Sequence, residues 1–271
     1  MRAAVLALAL ETLPAAAAEP ELRLEGAWSQ GGLVLGTVPA GAVVRFNGRP
    51  VRVSREGLFV FGFGRDAPAT ATLEVAYADG RRERRALEVG QRRYRTQRVD
   101  GLPGNMVAPS AAELERIRRE GARIAEVRRR DTDAAWFARG FRWPLVGTVT
   151  GVYGSQRILN GEPRRPHYGI DIAAPAGTAV VAPAPGIVAL AEPDLFLTGG
   201  TVMIDHGHGL TSVYSHLASL SVAEGERVGE GDALGTVGAT GRATGPHLDW
   251  RVNWFGTRLD PALLAGPMPK G

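Results

Sequence analysis

All five histidines of the chain fall in its C-terminal half: His167, His206, His208, His216 and His247. One histidine alone is more often structural than functional, but a cluster of all of them marks a site. The segment His247-Leu248-Asp249-Trp250-Arg251-Val252-Asn253-Trp254 alternates without error. Its period predicts a strand with His247, Asp249, Arg251 and Asn253 on one face and the apolar residues on the other. Such a strand sets an imidazole beside a carboxylate, either lining a site or facing solvent.

His167 and Asp171 form a second imidazole–carboxylate pair, four residues apart. In a straight strand they would lie ~13 Å from each other, too far to share a ligand. Gly169 between them permits a bend or bulge that closes the gap. Neutral imidazole and carboxylate suit a hydrolytic zinc ion. Tyr214-Ser215-His216-Leu217 adds an imidazole at the end of a further strand, whereas Asp205-His206-Gly207-His208-Gly209 reads as a glycine-rich hairpin turn.

The elements that must carry these residues are short and glycine-punctuated. Gly186–Leu190, Gly200–Ile204 and Leu210–Tyr214 read as strands, and residues 141–265 as an all-β domain. Residues 22–99 show half-buried alternation in Leu73–Tyr77 and Ala86–Val89, with Asn47-Gly48, Glu56-Gly57 and Asp79-Gly80 as hairpin turns. That spacing predicts a small immunoglobulin-like β-sandwich without catalytic residue clusters. Between the two, residues 109–138 form a helical linker. Ser110-Ala111-Ala112-Glu113 is a capping box, and Leu114, Ile117, Ile124 and Val127 recur at helical spacing. Its many arginines are interleaved with Glu115, Glu120 and Glu126, which favours a solvated face over a nucleic-acid-binding one. The fold expected is therefore mainly β.

Composition removes several chemistries. The chain of 271 residues has no cysteine, which excludes disulfide scaffolds, thiol nucleophiles and Cys-ligated metals. A single lysine, Lys270, excludes P-loop and Schiff-base chemistry. No Gly-x-Ser-x-Gly elbow is present. The net charge of +4 fits contact with any polyanion and does not choose among them. At the N-terminus, residues 1–18 run from Arg2 through a short apolar core to Ala16-x-Ala18, the form of a secretory signal peptide. Export, with the periplasm as destination, is the expectation. No apolar run reaches the ~20 residues needed to span a bilayer.

With these residues in view, the chain resembles the lysostaphin-type (LytM-like) zinc metallopeptidases. The resemblance rests on His167-x-x-x-Asp171, Tyr214-Ser-His216-Leu and Gly245-Pro-His247-Leu-Asp249, in that order. It rests also on the glycine framework around Gly169, Gly186, Gly231 and Gly235, and covers about residues 144–256. The resemblance implies an antiparallel β domain with a metal in a groove, and endopeptidase activity on peptidoglycan cross-links or stem peptides. It implies His167 and Asp171 as zinc ligands and His216 and His247 as catalytic imidazoles. The family's third ligand is the second histidine of a His-x-His pair; this chain carries Asp249 there. Asp249 either replaces that imidazole as a ligand, or marks a metal-free relative that binds the wall or activates another wall hydrolase. The four other site positions favour the first reading. Arg251, on the same strand face, is expected to offset the added negative charge or to bind a substrate carboxylate.

Overall fold

The computed structural model describes residues 22–269. The segment read as a signal peptide, residues 1–18, lies outside them. Strands dominate and helices are few, as the sequence leads one to expect.

The C-terminal part is built on a ten-stranded sheet. Its central path runs through Gly186–Leu195, Gly199–Asp205, Leu210–Leu220, His247–Trp254, Ile170–Ala173 and Thr148–Gly151, all antiparallel neighbours. Trp250, Tyr214, Ile172, Leu248 and Val252 lie fully out of solvent beneath it. Two of these pairings converge on Asp249. Leu210–Leu220 sets Ser215 opposite Asp249 and Val213 opposite Arg251. Ile170–Ala173 sets Asp171 opposite Asp249 from the other side. Directly opposed residues of an antiparallel pair share a face, so three strands deliver polar groups to one point.

Residues near the N-terminus form a three-stranded sheet (Arg23–Gly26, Leu33–Thr37, Leu58–Gly62) and a four-stranded one (Val43–Phe46, Arg49–Val51, Thr70–Ala76, Arg82–Glu88). Phe46, Phe59, Phe61 and Phe63 are buried there and meet as stacked and edge-on rings. Their cluster continues into the C-terminal part: Phe46 meets the Trp254 ring edge-on at 5.9 Å. Arg92 reaches Asp260 at 2.7 Å across the same seam. Thr96–Val99 pairs in parallel with Gln156–Leu159, so the last stretch of the first β region belongs to a small sheet shared with the second.

The helix Ala111–Val127 begins at the expected box. Ser110 Oγ accepts from the Glu113 amide, and Glu113 Oε2 accepts from the Ser110 amide. The expected apolar stripe is only half used. Leu114 stays exposed, whereas Ile124 and Val127 pack against Leu190, Leu195, Met203 and Val213. The helix is thus docked on the sheet over its C-terminal turns. Its arginines do find acids, both within the helix (Arg116–Glu120) and on the sheet (Arg123–Glu192). No helix among the described residues is long and apolar enough to cross a membrane.

Candidate metal centre

The strand His247–Trp254 has the alternation read from its sequence, but its polar face is not a wet one. Asp249 and Asn253 are buried along with the apolar residues between them. A buried carboxylate must be paired or ligating, and the surroundings of Asp249 offer both. His167, Asp171 and Asp249 each present one ligand atom, all within 4.8 Å of one another. His167 precedes its strand, so the four-residue gap closes at the strand entrance, and its Nε2 lies 3.1 Å from Asp171 Oδ1. Gly169 serves a different purpose from the bend expected of it. Its φ is not in the left-handed region; instead, a Cβ there would lie 2.6 Å from Asp249 Oδ1 and 2.6 Å from Arg251 Cγ. The glycine is needed for close approach of two strands bearing the site.

Two arginines hold the carboxylates. Arg157 Nη2 donates to Asp171 Oδ2 at 2.5 Å. Arg251 Nε donates to Asp249 Oδ1 at 2.9 Å, and its Nη2 donates to Oδ2. Burial pushes the Asp171 carboxyl up, but its contact with His167 and the charge of Arg157 prevail and hold it well below the usual carboxylate range. Asp249 follows the same pattern, with burial opposed by Arg251, and ends lowered. Both are therefore carboxylates at neutral pH. Arg157 is a site residue that sequence reasoning missed. It sits fourteen residues before Asp171, on another strand, and no spacing rule connects them.

Ser215 is a second omission. Its hydroxyl is buried, faces Asp249 across the strand pair, and has no hydrogen-bond partner. A signal existed, since Ser215 falls inside the Tyr214–Leu217 motif.

His216 and His247 face each other beside this cluster, ring centroids 4.7 Å apart. His216 lies within a long strand rather than at its end, at a register shift against Gly199–Asp205, with φ at +67°. Left-handed backbone is costly for a non-glycine residue and collects at functional sites. The ring Nδ1 of His216 meets the Thr240 carbonyl at 2.7 Å, and that of His247 meets the Gly245 carbonyl at 2.8 Å. A carbonyl only accepts, so each Nδ1 carries a proton, and the neutral form of either ring has its lone pair at Nε2. Burial pushes the His216 pKa down to about 4, so this ring is neutral at physiological pH.

His206 and His208 lie elsewhere, at the turn as expected, and both are buried. His206 Nδ1 donates to the Pro185 carbonyl and its Nε2 accepts from Ser212, which in turn accepts from Tyr214. This is a satisfied core histidine.

The residues fit a metal ion. His167 Nε2 is buried with no hydrogen-bond partner of acceptable geometry. Imidazole plus two ionised carboxylates is a competent donor set for zinc. With two imidazole nitrogens alongside, the arrangement is one that metal-assisted hydrolysis requires.

Residues 165–261 match the family model described as peptidase family M23. A solved peptidase M23 structure from Pseudomonas aeruginosa is 33% identical, with a TM-score of 0.69, over 88% of this chain and 95% of that one. The chain belongs to peptidase family M23. The DD-carboxypeptidase/endopeptidase Mpg of Neisseria meningitidis serogroup B is 42% identical over 128 residues, 47% of this chain and 29% of that protein. The peptidoglycan DD-endopeptidase ShyA of Vibrio cholerae is 36% identical over 102 residues, 34% of this chain and 24% of that protein. The chain spans under a third of the length of these curated relatives.

Proposed function

We propose that the protein is an exported zinc-dependent endopeptidase that hydrolyses peptide bonds in peptidoglycan cross-links or stem peptides, acting in the periplasm. The observation that carries this reading is the pair of imidazoles held through Nδ1 beside the His167–Asp171–Asp249 cluster. Zinc bound by those three residues would polarise the scissile carbonyl and acidify the attacking water. Arg157 holds the Asp171 oxygen turned away from His167, and Arg251 holds both oxygens of Asp249, which fixes the orientation of the two carboxylates. Arg251 also returns the positive charge that Asp249 removes relative to an imidazole. One of the two imidazoles, His216 or His247, accepts the proton of the attacking water at Nε2 and, so protonated, passes it to the leaving amine as the C–N bond breaks, while the other orients the water through its Nε2 lone pair. Support for the substrate comes from the relatives: ShyA is named a peptidoglycan DD-endopeptidase and Mpg a DD-carboxypeptidase/endopeptidase.

The test is metal analysis of purified protein beside an Asp249→Ala variant, with digestion of isolated peptidoglycan followed by product analysis. The reading expects about one equivalent of zinc, lost in the variant, and released or shortened peptides. No metal in either protein, even with zinc supplied, would overturn it and leave a wall-binding or hydrolase-activating module.

A further inference from the structure

One turn holds two of the three clustered residues. Residues 152–155 join the strands Thr148–Gly151 and Gln156–Leu159, and the His167 backbone is tied to that turn through both of its polar groups. The Gly154 amide donates to the His167 carbonyl at 2.7 Å, and the His167 amide donates to the Ser155 carbonyl at 2.8 Å. Just beyond the turn, Arg157 donates to the Asp171 carboxylate. Ser155 is buried and braces the turn from within, its hydroxyl donating to the Val152 carbonyl at 2.9 Å.

The N-terminal β region grips the same turn. Arg65 Nε donates to the Gly154 carbonyl at 2.7 Å across 89 residues of sequence, and its guanidinium lies 4.4 Å over the Tyr94 ring. Tyr94 is packed so closely on Gly154 that a Cβ there would lie 2.1 Å from the ring, and the glycine φ is +83°. The Gln156 amide donates to the Arg95 carbonyl at 2.9 Å, and the parallel pairing that follows sets Gln97 opposite Arg157. Gln97 Nε2 donates to the Thr150 carbonyl at 2.9 Å, on the strand that pairs with Ile170–Ala173. Gly154 is buried, so without Arg65 its carbonyl would lose a hydrogen bond where water is scarce. The turn would shift to recover one, and His167 would shift with it. Metal donors must converge to within about half an ångström of their working geometry, so a small movement of the turn is enough to matter.

We infer that Arg65, Tyr94 and Gln97 of the N-terminal β region are positioning residues of the metal centre. Docking of that region and retention of zinc at His167 and Asp171 are then one linked equilibrium. The metal comes from the reading under Proposed function; the contacts on the turn stand independently of it. Linkage is reciprocal: whatever factor docking adds to zinc affinity, zinc returns to docking.

The experiment uses the full chain. Zinc affinity is measured by competition with a chromophoric chelator for the parent, Arg65→Ala, Arg65→Lys, Gln97→Ala and Arg52→Ala. Arg52 also ties the N-terminal region to later residues, but its bonds go to Asp131 and Asp133. Arg65→Ala and Gln97→Ala are each expected to raise the zinc Kd about tenfold, the lower end for loss of a ligand's outer support. Arg65→Lys should restore part of it, because an ammonium still donates to the Gly154 carbonyl. Arg52→Ala should bind zinc as the parent does. Hydrogen exchange gives the reverse arm: saturating zinc should slow exchange of the parent's Gln156 amide about tenfold. Parent-level zinc affinity in both Arg65→Ala and Gln97→Ala would overturn the inference, as would a Gln156 amide indifferent to zinc. An equal loss in Arg52→Ala would also overturn it, by showing general loosening rather than control through the turn. A parent that binds no zinc would sink this inference and the enzyme reading together. Linked zinc binding in a protein that digests no peptidoglycan would keep the positioning residues and remove the hydrolase. Digestion by a protein whose zinc affinity ignores Arg65 and Gln97 would do the reverse.

Discussion

Asp249 and Arg251 define the chemistry of this site at the scale of single residues. Arg251 is the only partner that Asp249 has on its strand, and both lie largely out of water. Replacing Arg251 with methionine leaves a buried carboxylate uncompensated. Such losses cost about 3–5 kcal/mol, and urea unfolding of metal-free protein should show that drop. Added zinc should recover part of it, because the ion supplies the missing positive charge. A loss that zinc leaves untouched would place Asp249 outside the metal's reach. In the proposed mechanism His216 and His247 have a different part, handling the proton rather than holding the ion. Alanine at either is expected to lower turnover about 100- to 10,000-fold while zinc content stays at the parent level. Loss of zinc in either variant would reassign that ring as a ligand.

Close strand approach at the site is a property of the elements. Gly151 and Gly169 lie where a Cβ would strike the site: 2.1 Å from Asp171 Oδ2 in the first case and 2.6 Å from Asp249 Oδ1 in the second. Gly169→Ala is therefore expected to spread the strands, costing about 1–3 kcal/mol and weakening zinc retention on dialysis. Unchanged zinc retention would show that the neighbours can yield. The strand His247–Trp254 and the helix starting after Ser110 were legible in the sequence because their signals are local: strict alternation in one, a reciprocal cap in the other. Pairing registers were not legible. Nothing in the sequence says that Ser215 sits opposite Asp249, or that Arg157 reaches Asp171 from a separate strand. Long-range pairing also decided the fate of the polar face, which alternation alone had left open between a lined site and solvent. Leu114 illustrates the converse, since a helical period gives a stripe but not how much of it a neighbour covers.

For the whole molecule, the buried histidines set the acid limit. Burial lowers the His206 pKa from 6.5 to about 4, with its Pro185 hydrogen bond only partly opposing. The unfolded chain therefore takes up a proton near pH 6.5 that the folded one refuses until about pH 4, and stability falls as pH drops through that window. The loss from this one group is on the order of 3 kcal/mol. Melting temperatures measured from pH 7.5 to 4 should decline, and His206→Gln, though less stable at pH 7.5, should decline less steeply. Parallel slopes for the two proteins would count against His206 as the source.

The seam between the N-terminal sheets and the peptidase sheet also bears on how the chain is made. Arg92 and Asp260 are separated by 168 residues, and Gly62 lies where a Cβ would meet Leu259 at 2.5 Å. A surface shaped early in synthesis thus waits for a segment translated near the end. Phe46 remains without its late neighbour until Trp254 emerges, and the backbone at Gly62 until Leu259 does, so nascent chains halted before that point carry an uncovered apolar face.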